Sequence, residues 1–130
     1  MNQMRNGERG MRNKELQQRT KGFALRVISL VEALPRGRTA DVVGGQLLRA
    51  GTSVGANYRA ACRAKSPADF ISKMGTVEEE TDECLFWMEL LVEAGLIDAQ
   101  RLQDLMNDAN QILAMTVSSI KTTRKRKDAR

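Results

Sequence analysis

The sequence predicts an all-α protein, an antiparallel up-down-up-down four-helix bundle. Ala, Leu, Met, Glu, Lys, Arg and Gln dominate the chain, and the two prolines, Pro35 and Pro67, stand at apparent helix junctions. Apolar residues recur at steps of three and four over four stretches, and no period-two alternation persists for more than a few residues. The connections near Arg36, Lys65 and Gly95 are short, as antiparallel neighbours require. A chain of 130 residues suits one domain burying about 65–70% of its unfolded surface.

Residues 1–12, with Gly7, Gly10 and several arginines and asparagines, have no apolar period and read as a disordered basic tail. Helix one spans about 13–34, because Leu16, Phe23, Val27, Leu30, Val31 and Leu34 fall mostly on one face before Pro35 and Gly37. Helix two spans about 39–64, with Thr39 as N-cap. At 100° per residue it has three faces: a core stripe of Val43, Leu47, Ala50, Val54, Tyr58 and Ala61; a small-residue strip of Gly44, Gly51, Gly55 and Cys62; and a polar strip of Gln46, Arg49, Ser53 and Asn57. Glycine costs about 1 kcal/mol against alanine inside a helix, so this strip must be recovered through close packing or function.

Helix three opens on Ser66 as N-cap, Pro67 at the first helical position and Asp69 in the first turn, and ends near Ala94 before Gly95. Phe70, Met74, Val77, Thr81, Cys84, Met88 and Leu91 form a heptad-like seam. Phe86, Trp87 and Leu90 lie outside that seam, and their clustering on an outward face predicts an oligomer interface. Helix four runs from about 98 to 120 on Leu102, Leu105, Ala109, Ile112, Thr116 and Ile120, then gives way to a basic C-terminal tail, 121–130. The bundle domain is therefore 13–120, and the up-down order sends both basic ends to one pole.

Charge is strongly asymmetric. Residues 1–21 carry net +4, residues 121–130 net +5 and residues 22–120 net −4. Such ends are either solvated tails or a nucleic-acid contact. In the second case the contacts fall to Arg5, Arg9, Arg12, Lys14, Lys121, Arg124, Lys125, Arg126 and Lys127, with Arg59 and Arg63 as secondary candidates on the outer side of helix two. Phe23, Tyr58, Phe70, Phe86 and Trp87 are all assigned to packing faces, so backbone phosphates, rather than stacked bases, are the expected target. No signal-peptide or membrane-spanning run is present, and the expected location is cytoplasmic, with no membrane partner. Cys62 and Cys84 sit at levels that differ by about 20 Å along antiparallel helices, so both thiols should be reduced.

The chain has no histidine, which removes the usual general base and the Ser-His and Cys-His pairs. Neither cysteine has zinc-site spacing, and no glycine-rich phosphate loop follows a strand, so no enzyme activity, catalytic residue, metal or cofactor is expected. Glu78, Glu79, Glu80, Asp82 and Glu83 are better read as a solvated face flanking Glu80 and Glu83 than as a cation site. Arg49 on helix two is placed to join Glu80 or Glu83, and Arg49, Ser53, Asn57, Glu80 and Glu83 together form a structural polar network, either fixing register or lining a ligand pocket.

The runs 46–49, 52–59 and 68–73, followed by Glu80, Glu83, residues 86–91 and 95–97, closely resemble the bacterial four-helix bundle proteins named after the 23S rRNA intervening sequences that encode some of them. The resemblance covers about residues 20–120 and implies an antiparallel bundle assembling as a ring, a homopentamer, without known enzymatic activity and with a suggested association with ribosomal RNA. It also extends distantly to the accessory variability determinant of diversity-generating retroelements, a basic pentameric barrel that binds nucleic acid and a reverse transcriptase. Arg49, Asn57, Glu80 and Glu83 match family signature positions. Arg59-Ala60-Ala61 departs where many relatives place a small residue, a glutamate and a glycine. The expected function is thus a non-enzymatic homo-oligomer binding RNA or DNA through clustered basic residues. The alternative is a protein-interaction scaffold, such as an accessory protein docking a retroelement reverse transcriptase.

Overall fold

A computed structural model of the chain describes the backbone of residues 2–128 and the side chains from residue 13 to 128. Four helices follow one another: α1 (Asn2–Glu32), α2 (Arg38–Ala61), α3 (Pro67–Glu93) and α4 (Ala99–Asp128). Sequential neighbours pack together, and α1 meets α4 along the thinnest seam, closing an antiparallel four-helix bundle.

The interior follows the apolar stripes. Leu16, Phe23 and Val27 of α1 are buried with Leu47, Ala50, Val54, Tyr58 and Ala61 of α2. The α3 seam from Met74 to Leu91 is buried throughout, whereas Phe70 only flanks the core. From α4 come Leu102, Leu105, Ala109, Ile112 and Ile120. Three buried threonines are satisfied within their own helices: the Thr20, Thr81 and Thr116 hydroxyls donate to the carbonyls of Gln17 (3.1 Å), Val77 (2.7 Å) and Ile112 (2.8 Å).

The helix ends explain the connections. Ser66 Oγ accepts from the Asp69 backbone N–H at 3.0 Å, with Pro67 at the first helical position. At the other end of α3, Gly95 adopts φ +75°. Its N–H reaches the Val92 carbonyl and that of Leu96 reaches Leu91, the paired bonds of a Schellman stop. Thr39 is not the cap of α2; Gly37 holds that place without a side-chain hydrogen bond, and the Asp41 N–H already bonds the Gly37 carbonyl at 2.9 Å.

Both charged ends differ from expectation. Helix α1 begins at Asn2, and α4 continues through the basic run to Asp128, so the segments assigned as tails have helical backbone. Lysine and arginine are good helix formers, and cations in a last turn oppose the negative end of the helix dipole.

Helix α2 meets α1 through its glycines. A Cβ at Gly51 would lie 2.8 and 2.9 Å from the Val27 methyls, one at Gly44 would lie 2.9 Å from Leu34 Cδ1, and one at Gly55 would lie 3.4 Å from the Thr20 carbonyl oxygen. The small-residue strip is therefore the α1 docking surface.

Candidate nucleic-acid interface

The bundle order gathers the beginning of α1, the end of α2, the beginning of α3 and the end of α4 at one pole. Asn13, Tyr58, Cys62, Ser66, Arg126 and Lys127 border a single cavity there. Inside its wall the Tyr58 hydroxyl donates to Asn13 Oδ1 at 3.1 Å, and burial, then the Cys62 thiol, pushes that hydroxyl above its ordinary range. Lys14, Arg59 and Arg63 are exposed around this pole, as are Lys121, Arg124, Lys125, Arg126 and Lys127 along the last turns of α4. The side chains of Arg5, Arg9 and Arg12 lie outside the described residues.

The polar network forms at mid-bundle, on the α2–α3 seam. Arg49 sends one terminal nitrogen to both Glu80 oxygens, at 3.3 and 3.2 Å, and the other to Glu83 Oε1 at 2.5 Å. Gln46 Oε1 accepts from Arg49 Nε, and Trp87 Nε1–H donates to the same Glu83 oxygen at 3.1 Å. The Arg49 hydrogen bond, reinforced by Trp87, holds the Glu83 carboxyl below its usual range, while Glu83 raises the Arg49 guanidinium. Asn57 does not join this group: its amide turns back to the Ser53 carbonyl at 2.8 Å, two turns away from Arg49. The expected five-residue network is therefore an Arg49–Glu80–Glu83 cluster completed by Gln46 and Trp87, with Ser53 and Asn57 apart.

Sequence reasoning missed a second cluster. Asp108 on α4 accepts from Arg19 at 3.3 Å and pairs with Arg26 at 3.7 Å, and Arg19 also donates to Gln111 Oε1. These side chains bridge the thin α1–α4 seam. The signal available was Arg19 and Arg26 at i and i+7 on the edge of the α1 stripe, opposite an acidic residue on α4.

Phe86 is 51% exposed, so within the chain it is not the packed aromatic the helical pattern predicts. Trp87 packs its indole on the core edge and meets Phe86 edge to face at 5.0 Å, and Leu90 is half-buried. Cys62 and Cys84 are free thiols. Burial, with the Glu80 and Glu83 charges behind it, pushes Cys84 up to about 12, so this thiol is a packing group rather than a nucleophile. Among the described residues no three cysteine or carboxylate side chains gather as a metal site, and no helix is long and apolar enough to cross a membrane.

The family model described as 23S rRNA-intervening sequence protein matches residues 12–118. The chain belongs to this family. The match takes in the four-helix core and the Arg49–Glu80–Glu83 cluster and ends just before the basic turns of α4. The fold is also that of a solved structure, a protein of unknown function from the S23 ribosomal protein family of Bacteroides thetaiotaomicron VPI-5482. The two are 34% identical, with a TM-score of 0.80 over 85% of this chain and 98% of that one. No curated protein matches the chain.

Proposed function

We propose that this member of the 23S rRNA-intervening sequence family is a non-enzymatic homo-oligomer, a ring of five, that binds RNA or DNA through the basic pole. One observation carries the binding reading: Lys121, Arg124, Lys125, Arg126 and Lys127 continue α4 as helix and stand exposed at the pole where Lys14, Arg59 and Arg63 also lie. A helix spaces these cations at a rise of about 1.5 Å per residue, so they present a fixed charged surface rather than a diffuse tail. With no histidine in the chain, the pole offers charge without the usual proton-transfer group.

The ring reading rests on two outward apolar patches. Leu25 and Ile28 are 58% and 38% exposed on α1, and Phe86 is 51% exposed on α3. These helices are diagonal in the bundle, so the two patches face away from each other. Two different patches on opposite sides suit a head-to-tail contact, the kind that closes rings. Five copies would bring five basic poles together and strengthen weak phosphate contacts by multivalency.

The test is binding to duplex DNA and to single-stranded RNA across a salt series. The wild-type chain is compared with a variant in which Lys121, Arg124, Lys125 and Lys127 are all changed to Gln. The wild type should show a steep, sequence-independent decline with salt, and the variant should lose about 2–4 units of log–log slope. Equal slopes would remove the basic pole as the contact.

A further inference from the structure

The cavity at the basic pole has a volume of about 600 Å³, within the range of about 300–1,000 Å³ seen for ligand pockets. Its walls change character along α4. Met115, half-buried, lines it with Leu16 and Phe70, giving an apolar and aromatic inner part. One turn on, Ser118 and Ser119 face the same space, followed by Thr122 and Thr123, a band of hydroxyls in which the Thr123 hydroxyl donates to the Ser119 carbonyl at 2.8 Å and keeps its lone pairs as acceptors. One turn further, Arg126 and Lys127 stand exposed at the mouth.

An apolar ring surface, then hydroxyls, then cations is the order in which a nucleotide presents its base, sugar and phosphate. A simple amphiphile would make no use of the hydroxyl band, whereas a sugar offers it partners. A base held in a duplex is stacked and cannot enter without being extruded. We propose that this cavity receives one unstacked nucleotide of a single strand, base inward against Phe70 and Met115 and phosphate at Arg126 and Lys127. The inference rests on the nucleic-acid reading above and adds to it a preference for single strands. It gives Phe70 a stacking role that the helical pattern alone does not suggest.

The experiment uses the full chain with two arms. The first measures affinity for a short oligothymidylate and for its duplex with oligoadenylate; the second titrates adenosine 5′-monophosphate. Ser118→Trp plugs the cavity from an exposed position, Ala114→Trp does so from a second one, and an unchanged helical spectrum and melting midpoint establish that each variant is folded. The wild type should prefer the single strand by about tenfold, and both plugged variants should lose that preference while retaining duplex binding. No preference in the wild type, or one that survives both plugs, overturns the proposal. If neither nucleic acid binds, the basic-pole reading fails and the nucleotide arm decides the cavity: saturation by the wild type and not by the plugged variants supports the site, and no binding overturns it.

Discussion

Helix α2 meets its two neighbours in opposite ways. Toward α1 it offers Gly44, Gly51 and Gly55, and the helices close until Leu34 and Val27 fill the space a Cβ would need at the first two, with the Thr20 carbonyl in ordinary contact distance of the third. Toward α3 it extends Arg49, whose guanidinium is about half exposed while it holds Glu80 and Glu83. The first seam sets the separation of two helices by what is missing from one of them. The second sets which turn of α3 stands beside which turn of α2, through long side chains at a wet surface where ion pairs contribute little to stability. The glycine strip should therefore govern how stable the bundle is, and the arginine cluster how its helices register.

Gly51→Ala should break this contrast most severely. The added methyl would meet Val27 at 2.8, 2.9 and 3.1 Å, and Val27 is fully buried with its branch at Cβ, so neither partner has room to yield. A loss of about 1–3 kcal/mol in urea unfolding is expected. Gly45→Ala, on the solvent side of the same helix with nothing within 4 Å, should move the other way, gaining about 0.5–1 kcal/mol. If both substitutions shift stability alike, helix propensity alone governs α2 and the close α1 contact has no energetic weight.

Arg49→Ala should have a smaller effect at neutral pH, and its sharper signature lies in acid. Because the folded-state Glu83 carboxyl is held below its ordinary value, the stability it contributes is fully present above about pH 4.5 and is lost as pH falls through the folded value. The wild type should lose more stability than Arg49→Ala over that descent. Parallel acid-unfolding curves for the two would show that the pair carries no linkage.

Much of this was legible in the sequence because core side chains obey a 3.6-residue period. The α3 seam, the Ser66 cap, the Gly95 stop and the facing of Arg49 toward Glu80 and Glu83 all follow from spacing. Polar reach does not. Asn57 shares a face with Arg49, yet its short amide satisfies itself on the Ser53 carbonyl, and no spacing rule distinguishes that from a cross-helix bond. Asp108 gathers Arg19 and Arg26 for the converse reason, that flexible side chains at a stripe edge bridge whichever seam lies open. The helical ends of α1 and α4 lack an apolar period and so gave no amphipathic signal, although their lysines and arginines favour helix. The cavity at the basic pole is a gap left between the four helices, a property of their packing that no single stretch encodes.

The glycine strip and the Arg49 cluster shape one bundle; the proposed function needs several bundles joined so that their basic poles act together. The mass of the assembly in solution tests that most directly, measured by sedimentation for the wild type and for Phe86→Asp, which places a charge on the exposed ring of α3. The ring account predicts a wild-type particle of about five times the 14.5 kDa chain mass and a folded Phe86→Asp monomer. A wild type that sediments at the mass of one chain across the concentrations at which it binds nucleic acid would contradict it.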